Sequence, residues 1–90
     1  MIESFRSKGL KLFWEQGDSR RLSVSNERRV RQVLLALHAA TKPEDLNLPG
    51  LKFHGLQGSP KRWAVSVTGN WRITWGWNGN ALDVDLEDYH

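Results

Sequence analysis

Cysteine is absent from the 90 residues, so neither a disulfide framework nor a thiolate metal site can steady the fold. No segment approaches the roughly 20 apolar residues of a membrane span. The start, MIESFRSKGLKLFWEQG, has no apolar stretch behind a basic head. A soluble, cytoplasmic protein is expected. No serine stands in a nucleophile-elbow motif, which with the missing thiol argues against covalent hydrolase chemistry. Nor is there an internal repeat, or a linker long enough to divide domains. Residues 1–90 are expected to form a single domain, and a chain this short buries only about 60% of its unfolded surface. Five tryptophans and three phenylalanines supply the bulk for its core.

Charge is unevenly spread. Residues 1–62 hold twelve Lys and Arg against six Asp and Glu, whereas residues 63–90 hold Arg72 against Asp83, Asp85, Glu87 and Asp88. A basic front fits a polyanionic partner, most simply nucleic acid, because neutralised phosphates release counterions. A merely solubilising surface is the alternative.

The patterning predicts an α+β domain of order β-α-α-β-β-β. MIESFR reads as a short first strand through Ile2 and Phe5. Leu10, Phe13 and Trp14 then fall on one stripe of a helix ending near Gly17. Ser25 or Asn26 can cap a second helix, with Glu27 in its first turn and Val30, Val33, Leu34 and Leu37 as its buried stripe. In TKPEDLNLPG, Pro43 can open a short helical turn. Leu51 to Leu56 reads as an extended piece. WAVSVT, NWRITWGW and ALDVDLED follow as a meander, with turns at Gly69-Asn70 and, as a type I′ hairpin, at Asn78-Gly79. Period two puts Trp63, Val65 and Val67 on one face with Trp71, Ile73, Trp75, Trp77 and Leu82, Val84, Leu86. That face lies under the helices, and the other faces water.

Arg72 and Thr74 are then expected to project from the wet face. His54 lies on the piece leading into the sheet, Asn70 flanks Arg72 at the hairpin, and Asp88, Tyr89 and His90 follow the neighbouring strand. Two imidazoles, a guanidinium, an acid and a phenol are parts suited to cleaving RNA without metal. One group takes the 2′-hydroxyl proton, another protonates the leaving 5′-oxygen, and a fixed cation holds the phosphoryl charge. Imidazole fits either proton transfer, with an unperturbed pKa of about 6.5. DVDLED is read as solvation and edge protection rather than a metal site, and His38 as ordinary surface. No cofactor is expected.

FRSKGLKLFWEQG near the start, KFHGLQG around His54, VTGNWRITW around Arg72 and the closing EDYH resemble the HigB toxins, members of the RelE/ParE superfamily. The resemblance implies a RelE-like fold and a ribosome-dependent mRNA endonuclease that cuts translated messages at the ribosomal A site. It also implies a helix-turn-helix antitoxin of the HigA type as partner. It associates His54, Arg72, Asp88, Tyr89 and His90 with catalysis and Asn70 with the substrate. Relatives often carry lysine where this chain has Gln57, so either Lys52, Lys61 or Arg62 takes over phosphate contact or the protein is slower. Arg20, Arg21, Arg28 and Arg31 are expected on ribosomal RNA. Two other functions fit the same fold: a ParE-like, non-nuclease inhibitor of gyrase, and a non-catalytic RNA-binding module that stacks bases on its tryptophans.

Overall fold

The computed structural model describes residues 1–89; the expectations for His90 lie outside the described residues. Helix α1 (Lys8–Gln16) opens where the Ser7 side chain accepts the Leu10 N–H and closes where Gly17 turns left-handed at φ 69°. Leu10 and Phe13 form its buried side. Helix α2 (Glu27–Ala39) is capped by Asn26, which accepts the Arg29 N–H, and buries Val30, Val33, Leu34 and Leu37. A single 3₁₀ turn, Pro43–Leu46, drops Leu46 into the core.

Four strands follow: β1 (His54–Leu56), β2 (Arg62–Thr68), β3 (Trp71–Trp77) and β4 (Ala81–Asp88). They form one antiparallel sheet in the order β1-β2-β3-β4. Val65, Ile73, Trp75 and Val84 meet the helical side chains in a common core. The α+β class and the placing of the helices on one face match the sequence reading.

The differences lie at the two ends of the chain. MIESFR is not a regular strand: its backbone joins β4 through two isolated parallel bridges, Ile2 with Ala81 and Phe5 with Val84. The ladder is interrupted between them because Asp83 leaves the β region at φ 50° and its N–H goes to the Ser4 hydroxyl at 2.9 Å instead of to backbone. The extended piece supplies the fourth strand, β1.

That same bulge overturns the expected face of Leu82. Thr74 pairs with Asp85 but Gly76 pairs with Leu82, so β4 carries an extra residue between them. Leu82 therefore lies over Gly76 on the far side of the sheet from Val84, its Cδ1 3.6 Å from where a Gly76 Cβ would sit. The Asn78-Gly79 hairpin also differs. Trp77 pairs with Ala81, leaving the three-residue loop 78–80, and only Gly79 has positive φ where type I′ needs two such residues. The Gly69-Asn70 turn is the two-residue connection expected, with Gly69 at φ 53°.

Candidate active site

Pairing aligns the side chains of the open sheet face, the one away from the helices, in two rows. His54, Ala64, Thr74 and Asp85 are successive partners across the four strands, and Ser66, Arg72 and Glu87 are partners one step along. With strands about 4.8 Å apart, His54 and Thr74 stand roughly 10 Å apart. The small side chains of Ala64 and Ser66 make the floor between His54 and Arg72.

His54 is exposed, and its Nδ1 lies 2.9 Å from the Lys52 carbonyl oxygen. A carbonyl only accepts, so in the neutral ring Nδ1 carries the proton and Nε2 keeps its lone pair toward solvent. Lys52 presents that carbonyl from a left-handed backbone, φ 53°, a conformation uncommon for lysine. Its contribution to this geometry is thus made through the main chain.

Arg72 is half-buried and folds back over the hairpin turn, with Nη1 donating to the carbonyls of Gly69 and Trp71 at 3.1 and 3.2 Å. Tyr89 joins it there: its N–H donates to the Asn70 carbonyl at 2.9 Å. Burial, then the nearby Glu87 carboxylate, pushes the Tyr89 hydroxyl above its ordinary pKa, while Arg62 and Arg72 act against them. Asp88 pairs with Trp71, which gives it the parity opposite to Arg72 and Tyr89.

The remaining cations divide between the faces. Gln57 is exposed just past β1. The Lys61 ammonium donates to the Leu56 carbonyl and lies 5.9 Å from the Trp63 ring centroid, against Gly55, on the face opposite to His54. Arg62 does lie on the open face but is half-buried. Its Nη2 donates to the Thr74 hydroxyl at 3.0 Å and to the Asp83 carbonyl at 2.9 Å. Burial, helped by the charge of Arg6, holds its pKa below the arginine norm, against Glu87, Asp83 and Asp85.

Arg20, Arg21, Arg28 and Arg31 are exposed on the helical side and are not brought to this site. Arg20 grips Asp18 with two bonds of 2.9 and 3.0 Å, and Arg31 covers the Phe13 ring at 4.8 Å. Lys8 and Lys11 line a groove of about 420 Å³ beside Arg21, to which no pattern in the sequence points.

Thr74 corrects the expectation of a wet residue, because it is fully buried. The covering comes from Arg62 above and from Glu87, whose Oε2 accepts the Thr74 hydroxyl proton at 2.5 Å. Neither Thr74 nor Glu87 stands out as a site residue in the sequence. The only signal for them is cross-strand register, which a single sequence does not display. The tryptophans do lie on the helix side: Trp75 is fully buried, and Trp63, Trp71 and Trp77 pack half-buried against the core. That removes the base-stacking platform on which the non-catalytic reading depended.

Comparison with known proteins identifies the family. A family model described as a RelE-like toxin of type II toxin-antitoxin system HigB matches residues 3–90. A protein of Proteus vulgaris named Endoribonuclease HigB is 39% identical over 92 residues, covering all of both chains. These matches establish that the chain belongs to the HigB family of RelE-like toxins of type II toxin–antitoxin systems.

Proposed function

We propose that this toxin is an endoribonuclease that cuts mRNA at the ribosomal A site, in the cytoplasm, and is held in check by a helix-turn-helix antitoxin of the HigA type. The observation that carries the reading is the open face, where His54 with an outward Nε2 stands across a floor of small side chains from Arg72 and Tyr89. The matching name of the Proteus vulgaris relative supports it.

In this mechanism the substrate 2′-oxygen attacks phosphorus as its proton passes to a base. The P–O5′ bond breaks, and an acid delivers a proton to the departing oxygen, leaving a 2′,3′-cyclic phosphate and a 5′-hydroxyl. His54 and His90 divide the two proton transfers, with Asp88 orienting one imidazole. Arg72 meets the charge that gathers on the phosphoryl oxygens. Tyr89 packs against a base or ribose, and Asn70 contacts the substrate. Gln57 cannot supply the cation its relatives place there, which puts more of the phosphate charge on Arg72. Arg20, Arg21, Arg28 and Arg31 contact ribosomal RNA.

The test is to incubate the protein with programmed ribosomes and separately with free RNA, and to map the cuts. Cleavage on ribosomes alone is expected, with Arg72→Ala slower by about 10²–10³-fold, the size of losing one fixed donor to a developing oxyanion. Intact messages alongside inhibited gyrase would overturn the reading in favour of a ParE-like toxin.

A further inference from the structure

Glu87 is the direct cross-strand partner of Arg72. Such partners have Cβ atoms about 4.5–5.5 Å apart, and opposite charges there ordinarily attract. An ion pair between them would neutralise the guanidinium that the phosphate needs. It does not form. Among the described residues it is Arg20 and Asp18 that make an ion pair, on the helical side. Arg72 spends Nη1 on two carbonyls, and Glu87 turns one step along β3 to Thr74.

Hydrogen-bond direction explains why Glu87 stays there. The Arg62 guanidinium can only donate, so at the Thr74 oxygen it occupies a lone pair. The single hydroxyl proton is left to point at Glu87, which as a carboxylate can only accept. Thr74 is fully buried, so leaving this hydroxyl unpaired would be costly, and its orientation is fixed. Arg62 is itself anchored by the Asp83 carbonyl at the β4 bulge. The bulge, the guanidinium, the hydroxyl and the carboxylate thus form one directed chain.

We propose that Arg62 and Thr74 are positioning residues that withhold Glu87 from Arg72, so that Arg72 meets RNA phosphate with its charge uncompensated by its cross-strand neighbour. One cation of the open face is assigned to the protein's own carboxylate and the other is kept for the substrate. The inference rests on the role given to Arg72 above.

The experiment measures cleavage on programmed ribosomes, KM and kcat separately, for Thr74→Val, Glu87→Gln, the double variant and Arg72→Ala. Thr74→Val keeps the shape and removes the hydroxyl. The freed Glu87 should then pair with Arg72 and lower kcat/KM about fivefold, the scale of a partly exposed ion pair, with kcat falling because Arg72 meets charge that develops in the transition state. In the double variant the substituted amide has no charge to offer, so kcat/KM should return to that of Glu87→Gln alone. A role in folding alone would not be rescued this way. Should Thr74→Val fail to fold, Arg62→Met breaks the same chain while keeping the apolar stem, and Arg62→Met with Glu87→Gln gives the same comparison. An unchanged kcat/KM in the single variant, or a double variant as poor as the single, overturns the proposal. If Arg72→Ala cleaves normally, the reading of Arg72 fails and the proposal with it.

Discussion

Trp75 fills the centre of the core with an indole N–H that has no acceptor among the described residues. A buried donor left unpaired costs about 1–3 kcal/mol, and phenylalanine removes it while keeping most of the ring. Trp75→Phe should therefore change unfolding free energy in urea by less than about 1.5 kcal/mol, whereas Ile73→Ala, equally buried, should cost about 2–5 kcal/mol. Asp18 gives a second residue-level prediction. The Arg20 guanidinium and backbone N–H hold its carboxyl at about 2, below the ordinary 3.8. An NMR titration should show that midpoint, and Arg20→Ala, which keeps the backbone N–H, should raise it part of the way toward 3.8. The sign is that of a depressed acid: what the pair contributes is present above pH 4 and fades between about 4 and 2. Of the site, His54 and Arg72 are legible in the sequence because one alternation and one histidine suffice to place them. Thr74 is assigned to the correct face and still misread. Burial on an open face depends on which long side chains fold over it, here Arg62 and Glu87, and those come from other strands.

At the scale of elements, capping chemistry makes the helices readable: Ser7 and Asn26 start them, and Gly17 ends the first, all within the local sequence. Strand β4 is readable only beyond Asp83. Strict alternation puts Leu82 beside Val84, and an extra residue moves it to the opposite face. No apolar pattern announces such a bulge, because aspartate is acceptable both in a turn and on a wet strand. Asp83 tolerates its φ of 50° as a short polar residue does, and a β-branched one does not. Asp83→Val should cost about 1–3 kcal/mol more than Asp83→Asn in the same unfolding assay. It should also weaken cleavage beyond its effect on stability, since the Asp83 carbonyl anchors Arg62. Helix α1 has a comparable tight point at Gly9, where an added Cβ would collide with the Arg21 carbonyl oxygen. Gly9→Ala should therefore displace the loop after α1 and lower the thermal midpoint.

For the molecule as a whole, the two layers separate the work. The helical layer carries most of the basic excess, and the sheet's open face carries the candidate chemistry. Arg20 is engaged with Asp18, and Arg31 also shields Phe13. Arg21 and Arg28, exposed and without either commitment, are the better probes of polyanion contact. Replacing both with glutamine should reduce the slope of log K against log salt for ribosome binding by up to about 1.8, and leave cleavage at saturating ribosome nearly unchanged.

The bulge that joins Ser4 to Asp83 spans 79 positions of the chain, and that separation has a consequence in time. Strand β4 is synthesised after everything it pairs with, so Arg62, Thr74 and Arg72 wait for Asp83, Glu87 and Tyr89 to emerge, and the N-terminal segment waits with them. Contacts so far apart in sequence form late. Order of synthesis therefore sets the order of assembly: the candidate site is completed only once the last strand of its sheet has been made.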